Sequence, residues 1–336
     1  MISAVKARPV ADKPPYQRIP LSNLPTTKQN ISVISLFAGC GGSSLGYRYA
    51  GASVVWANEM VEEARKVYVE NSAPYTVVDH RDIRTIDPVE VKKLVGEVDI
   101  IDGSPPCSSF STAGKRHKLW GKEKNYSTNT RQRTDDLFWD YIRFVKALQP
   151  KVFVAENVKG LITGSSQGFY KEIFAEMVAS GYKVKSAVLD GAWLGVPQLR
   201  SRLIFIGVRS DLSNIKAVFP KPLKYTYTVR EVLPHIVSVM RGSRAHNWRS
   251  SDFPSPAIAV SDRNSSINSY FSGGGFVQTK DMEQRKYTID ELRVICGFPD
   301  DFKLSGNYEQ QFERLARAVP PPMMRSIAEP MIEQLK

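Results

Sequence analysis

The run Gly103-Ser104-Pro105-Pro106-Cys107-Ser108-Ser109-Phe110-Ser111 puts a cysteine in a turn stiffened by two prolines. A thiol held there is poorly placed for packing and well placed to attack an electrophile. Further along, Ala155-Glu156-Asn157-Val158 offers a carboxylic acid that could handle a proton for such a nucleophile. Gln198-Leu199-Arg200-Ser201-Arg202 then offers two guanidiniums on one side of an extended segment, which suits a phosphate, an oxyanion or a base carbonyl. Upstream, Phe37-Ala38-Gly39-Cys40-Gly41-Gly42 is a glycine-rich turn at the head of a helix, where the backbone can pass close under a ligand. Its GxGG spacing is not GxGxxG, which points away from NAD or FAD and toward another nucleoside ligand. Glu59 and Asp82 follow the next two strand-like runs, where carboxylates could accept hydrogen bonds from ribose hydroxyls and from an adenine amino group.

The elements that must hold these residues alternate. Apolar strand-like runs at 31–37, 54–57, 76–78, 98–102 and 151–155 are separated by helical stretches at 43–50, 62–71, 88–95, 135–148 and 169–180. Runs at 183–189 and 202–208 would complete the sheet. Strands alternating with helices predict an α/β fold with a doubly wound, mostly parallel sheet. Each chemical motif then falls at a strand's carboxyl end. Residues 1–30 read as a flexible N-terminal arm, 31–208 as the main domain, 209–285 as a second, smaller domain rich in Pro, Ser, Arg and aromatics, and 286–336 as a C-terminal segment returning to the main domain. Helical signals there cover 288–297 and 323–335.

The 336 residues carry 46 Lys+Arg against 34 Asp+Glu, and the excess is local. Residues 200–250 hold ten basic and two acidic side chains, and 115–133 hold seven and one. Two basic segments on a chain otherwise close to neutral fit a polyanion-binding face. Three widely spaced cysteines and four histidines argue against a disulfide framework or a metal site. No apolar run reaches the roughly 20 residues of a membrane span, and the first residues lack a signal peptide's apolar core, so a cytoplasmic protein is expected.

The ordered set SLFAGCGG, NEM, RDI, GSPPCSSFS, AENV, VPQLRSR, RKYTIDELRVICGFPDDF and RAVPP, spanning about residues 31–336, resembles the cytosine-5 DNA methyltransferases of restriction-modification or phage type. The resemblance implies a class I, Rossmann-like methyltransferase domain with a target-recognition domain. It makes Cys107 the nucleophile on carbon 6 of a flipped cytosine, Glu156 the group that protonates ring nitrogen 3, and Arg202 the clamp on the base carbonyl, with Arg200 in support. It puts S-adenosylmethionine against Phe37, Ala38, Gly39, Cys40, Gly41, Gly42, Glu59, Met60, Asp82, Ile83, Ser104, Pro105, Arg317, Ala318 and Val319. Duplex DNA would meet Ser109, Ser111, Lys115, Arg116, Lys124, Gln198, Arg241, Arg244, Trp248 and Arg249, with residues 115–133 as the loop that closes over it. A monomer is implied, with any cognate restriction endonuclease a separate protein.

Three positions leave the family pattern. Ser35 stands where an acid often precedes the Leu-Phe-Ala-Gly turn, Ser108 replaces a glutamine, and Arg317 replaces the asparagine of Gly-Asn-Ala-Val-Pro. A guanidinium near a sulfonium raises a second possible donor, carboxy-S-adenosylmethionine, whose carboxylate Arg317 would hold; the enzyme would then transfer a carboxymethyl group. The same motifs could also serve an RNA cytosine methyltransferase, or a non-catalytic DNA-binding protein of the same fold. The basic, aromatic region after residue 209 favours duplex DNA over RNA. The presence of Cys107, Glu156 and Arg202 disfavours a non-catalytic protein.

Overall fold

A computed structural model describes residues 13–106, 124–125, 131–132, 136–163, 166–240, 247–260 and 275–336. The chain divides into two compact units. One comprises Pro25–Leu189, Ser201–Pro220 and Met324–Lys336; the other comprises Met1–Leu24, Asp190–Arg200 and Lys221–Met323.

The first unit is built on a seven-stranded sheet. Its strands, in chain order, are β1 (Ser32–Leu36), β2 (Ser53–Asn58), β3 (Val77–Asp79), β4 (Ile100–Gly103), β7 (Val152–Val158), β8 (Tyr182–Asp190) and β9 (Ser201–Arg209). Their spatial order is β3-β2-β1-β4-β7-β9-β8. Pairing is parallel from β3 through to β7, and β9 runs antiparallel to β7. Every residue of β2 and β4 is buried, the signature of a sheet covered on both faces. The helices between the strands are α1 (Gly42–Tyr49), α2 (Glu62–Asn71), α3 (Pro88–Val95), α4 (Leu137–Leu148) and α5 (Gln167–Ala179). Helix α3 starts where it does because the Asp87 carboxylate accepts from the Val89 amide and Pro88 occupies the first turn. The core gathers Trp56, Phe138, Tyr141, Phe144, Phe153 and Phe205 with the aliphatic side chains of β1 and β4. A two-stranded ribbon pairs β5 (Lys124–Asn125) with β6 (Arg131–Gln132).

The second unit carries a four-stranded antiparallel sheet of β10 (Ile236–Met240), β11 (Trp248–Ser250), β12 (Phe276–Thr279) and β13 (Gln284–Lys286), in the order β11-β10-β12-β13. Its helices are α6 (Val229–Val232), α7 (Ile289–Ile295) and α8 (Tyr308–Arg317); the terminal helix α9 (Pro321–Leu335) spans the division between the units. None of the described helices is long and apolar enough to cross a membrane.

Several boundaries differ from those the sequence predicts. The described part of the arm is not loose. Tyr16 donates to the Val294 carbonyl, Arg18 to the Phe298 carbonyl and Asp300, and the Leu21 and Ser22 amides to the Asp301 carboxylate. These polar anchors and the aromatic contact of Tyr16 with Tyr227 offset the entropy of ordering this segment. Residues 286–323 group with the small sheet rather than with the main domain, and 209–220 do the reverse. Prolines 321 and 322 open α9 instead of separating it from what precedes, because the first turn has no amide partners to lose. Helix α8 has no counterpart among the predicted elements.

Within the second unit, Glu291 has a structural role. It is buried, closes a capping box on Thr288, and receives both Arg285 and His235 at 2.6–2.8 Å. Burial alone would raise its carboxyl, but Arg285, His235 and the Thr288 amide outweigh it and hold it at about 2. A depressed acid contributes stability above its unfolded value, near 4.3, and loses it as pH falls toward the folded value. Glu291→Gln is therefore expected to cost about 2 kcal/mol at pH 7, with the gap to wild type closing between pH 4 and pH 2 in thermal melts. A gap that does not change with pH would contradict this assignment.

Candidate active site

The parallel strands bring their carboxyl ends to one edge of the sheet, so the motifs of the first unit line up there. After β1 the chain turns sharply: Phe37 takes φ 56°, Gly39 φ 58° and Gly41 φ 94°. A left-handed phenylalanine costs of order 1 kcal/mol or more, and such strain persists where surrounding structure imposes it. Here the Ala38 amide donates to the Asn58 carbonyl at 3.0 Å and the Gly39 amide to Glu59 Oε2 at 2.8 Å. Space above Gly39 is open, since a Cβ there would meet nothing within 4 Å. Glu59, just past β2, also accepts from the Val61 amide through Oε1, so both oxygens are oriented. Met60 follows, partly buried, with its carbonyl accepting from Arg65. Cys40 is buried, as are Gly41 and Gly42.

Past β3, Asp82 caps the next turn by accepting from the Arg84 amide. Arg84 also bridges the Asp82 and Asp136 carboxylates. Ile83 is buried beside it. Asp82 thus sits at a strand end as expected, with a guanidinium already on it.

Between β1 and β7, β4 runs into Gly103, Ser104 and Pro105. Only glycine fits at 103, because a Cβ would come within 2.7 Å of the Tyr141 ring. Asn157 Nδ2 donates to the Pro105 carbonyl at 3.1 Å and so fixes the proline turn from β7. The sequence signal for this was the asparagine next to Glu156. Asp102, the residue before Gly103, is buried, and its register partner on β1 is Ser35, where the resemblance expects an acid. Ser43 Oγ donates to Asp102 Oδ2 at 2.5 Å, and the Tyr47 hydroxyl to Oδ1 at 3.4 Å. Burial pushes this carboxyl up to about 7; Glu156 pushes the same way, against the two hydroxyls.

Antiparallel β9 begins at the carboxyl end of β7, pairing Arg202 with Val158 and Ile204 with Glu156. Arg202 is therefore the diagonal neighbour of Glu156 on the same face. Arg202 Nε meets Glu156 Oε1 at 2.8 Å, with side-chain exposures of 19% and 10%. A pair this far from water orients both groups firmly.

The remaining candidates behave differently. Arg200 is buried and donates to the Ala316 and Arg317 carbonyls, so it caps the end of α8, a favoured place for a cation. Its own amide is held by Asp190. Gln198 is fully buried, with Nε2 3.5 Å from Cys296 Sγ, which removes it from the residues able to reach DNA. The alternation that puts Arg200 and Gln198 in one row with Arg202 says nothing of which side faces the interior. Arg317 pairs with Glu313, which is fully buried, at 2.6 Å across one turn of α8; Ala318 and Val319 follow it. Trp248 and Arg249 lie partly buried on the edge strand β11, the Arg249 guanidinium 4.0 Å from the Phe253 ring. Cys107, Ser109, Ser111, Lys115, Arg116, Arg241 and Arg244 lie outside the described residues, as does the side chain of Lys124. Among the described residues no cluster of His, Cys, Asp and Glu could hold a metal ion.

A family model described as C-5 cytosine-specific DNA methylase matches residues 31–252 and 235–333. The Type II methyltransferase M1.HphI of Haemophilus parahaemolyticus is 31% identical, over 90% of this chain and 87% of that protein. The Type II methyltransferase M.NgoFVII of Neisseria gonorrhoeae is 29% identical, over 90% and 86%. Among solved structures, Spodoptera frugiperda DNMT2 shares the fold, with a TM-score of 0.69 at 17% identity, over 90% of this chain and 100% of that one.

Proposed function

The chain belongs to the C-5 cytosine-specific DNA methylase family and is a DNA (cytosine-5-)-methyltransferase using S-adenosylmethionine on double-stranded DNA, and from that premise we propose that Cys107, Glu156 and Arg202 carry the transfer. The observation that carries this reading is the Glu156–Arg202 pair at the strand end beside the Gly103–Pro105 turn that leads to Cys107.

The thiolate of Cys107 adds to carbon 6 of a cytosine swung out of the duplex, at an unstacking cost of a few kcal/mol. With the base bound, Glu156 takes up a proton from solvent and passes it to ring nitrogen 3, so the electron pair displaced by the thiolate collects at carbon 5. Arg202 fixes Glu156 and holds the base carbonyl. Carbon 5 takes the methyl group and then gives up its proton to water, the electron pair left behind expels the thiolate of Cys107, and ring nitrogen 3 returns its proton to Glu156. Among the described residues the cofactor fits at the β1–α1 turn: Gly39 leaves open space, Glu59 presents an oriented carboxylate for ribose hydroxyls, and Asp82 lies at the next strand end. S-adenosylmethionine, when bound, supplies the methyl group as an electrophilic sulfonium. Phe37, Ala38, Gly41, Gly42, Met60, Ile83, Ser104 and Pro105 would complete its walls. Trp248 and Arg249 remain the described candidates for DNA contact. The enzyme would act as a single chain, with any cognate endonuclease separate.

The donor is ordinary S-adenosylmethionine rather than its carboxy derivative. The support is the Arg317–Glu313 pair: the guanidinium already has a buried carboxylate within its own helix. Nucleoside mass spectrometry of duplex DNA incubated with each donor should find 5-methylcytosine from S-adenosylmethionine and no 5-carboxymethylcytosine from the other. Carboxymethylated product would reverse the assignment of Arg317, and no modified cytosine with either donor would defeat the reading as a whole.

A further inference from the structure

Asp102 is not used by the mechanism above, yet it lies where the two expected cofactor segments meet. It belongs to β4, one residue ahead of the Gly103–Pro105 turn, and it receives Ser43 from the first turn of α1, directly after the Gly39–Gly42 turn. Both carboxylate oxygens are engaged by hydroxyls from that one helix, and the residue is 1% exposed. The groups facing it are Ser43 and Tyr47 on α1, its register partner Ser35 on β1, Tyr68 on α2, Tyr141 on α4 and Glu156 on β7: hydroxyls and a second carboxylate. Burial pushes this carboxyl up to about 7, and a positive charge arriving nearby favours its charged form.

Resting on the cofactor site assigned above, we propose that Asp102 is a positioning residue that ties the first turn of α1 to β4 and lets the enzyme tell the sulfonium donor from the neutral thioether left after transfer. The acid lies alongside α1, held by Ser43 in its first turn and by Tyr47 one turn further on. A donor with a positive sulfonium at the Gly39–Gly42 turn binds best to its ionised form. Once the methyl group has left, the favourable charge pairing is gone, Asp102 can take back a proton, and release is easier. Linkage makes the effect reciprocal: donor binding expels a proton in the range where Asp102 titrates.

Calorimetric titrations of the full chain with S-adenosylmethionine and with S-adenosylhomocysteine at pH 6, 7 and 8 test this without any turnover. For an acid balanced near neutrality, the donor's Kd is expected to be about tenfold weaker at pH 6 than at pH 8, while the thioether's changes much less. Asp102→Asn, which keeps an acceptor for Ser43 but no charge, should flatten the donor's extra pH slope and shrink its preference over the thioether. Ser43→Ala, which removes a donor that supports the charged form, should move the slope to higher pH, and it provides the reading if the Asn variant does not fold. Equal slopes for both ligands in the wild type, or a wild-type slope kept by Asp102→Asn, would overturn the proposal. Failure of the wild type to bind either ligand at every pH would instead overturn the cofactor site itself, and this inference with it.

Discussion

Glu156→Gln is expected to slow methyl transfer by roughly 10²–10⁴-fold, the usual worth of a positioned proton donor, while leaving DNA and cofactor affinity close to wild type. Glutamine fills the same volume and can still meet Arg202, so the geometry of β7 and β9 is kept. What it cannot do is deliver a proton to ring nitrogen 3. The electron pair pushed in by a thiolate would then have no neutral place to settle, and the adduct would revert before carbon 5 reacts. Single-turnover rates beside binding isotherms make the separation visible: a lost affinity with unchanged rate would assign Glu156 to binding alone. The partner gives an internal control. Arg202→Ala leaves Glu156 in a site only 10% exposed without its cation, a change that costs about 3 kcal/mol of stability in comparable buried pairs. The double variant should cost less than the sum of the two, because the second substitution removes a charge the first had stranded.

Much of the main domain could be read from its residues because the period is simple. β1, β2 and β4 are short runs rich in Val, Ile and Leu between helical stretches, and α2 and α3 fall on the predicted ranges 62–71 and 88–95. Once the strands are parallel, Glu59, Asp82, Gly103 and Glu156 must come to one edge, and topology alone gathers them. Contacts that depend on which way a side chain turns were beyond that logic. Arg200 looks like a twin of Arg202 by alternation, yet one caps α8 and the other pairs with Glu156. Gln198 is polar and fully buried. Asp102 reads as the last residue of a strand, and only the packing of α1 against β4 shows it as a buried acid held by hydroxyls.

The second unit was harder for a different reason. Its strands have three to five residues, too few for alternation to stand out, and the central pairing joins β10 to β12, a partner distant in sequence. Helix α8 hides behind the charges of Tyr308–Arg317, although Asn307 and Gln310 form a reciprocal cap that could have announced its start. The arm at 13–24 is held by hydrogen bonds and ion pairs to far-off carbonyls and carboxylates, which leave no periodic trace.

The covalent step through Cys107 is the centre of the account, and its replacement by serine carries the largest expected effect. A hydroxyl in place of the thiol is a far weaker nucleophile at neutral pH, since almost none of it is ionised, so methyl transfer should fall to background. Trapping tests the bond itself. In duplex DNA bearing 5-fluorocytosine at the target base, the fluorine takes the place of the proton that must leave carbon 5, so an adduct once methylated cannot collapse. The wild-type enzyme with S-adenosylmethionine is predicted to run as a denaturation-resistant protein–DNA species, and Cys107→Ser is predicted to give none. An adduct that survives the Cys107→Ser substitution, or a wild type that turns over ordinary DNA but forms no adduct, would contradict the mechanism.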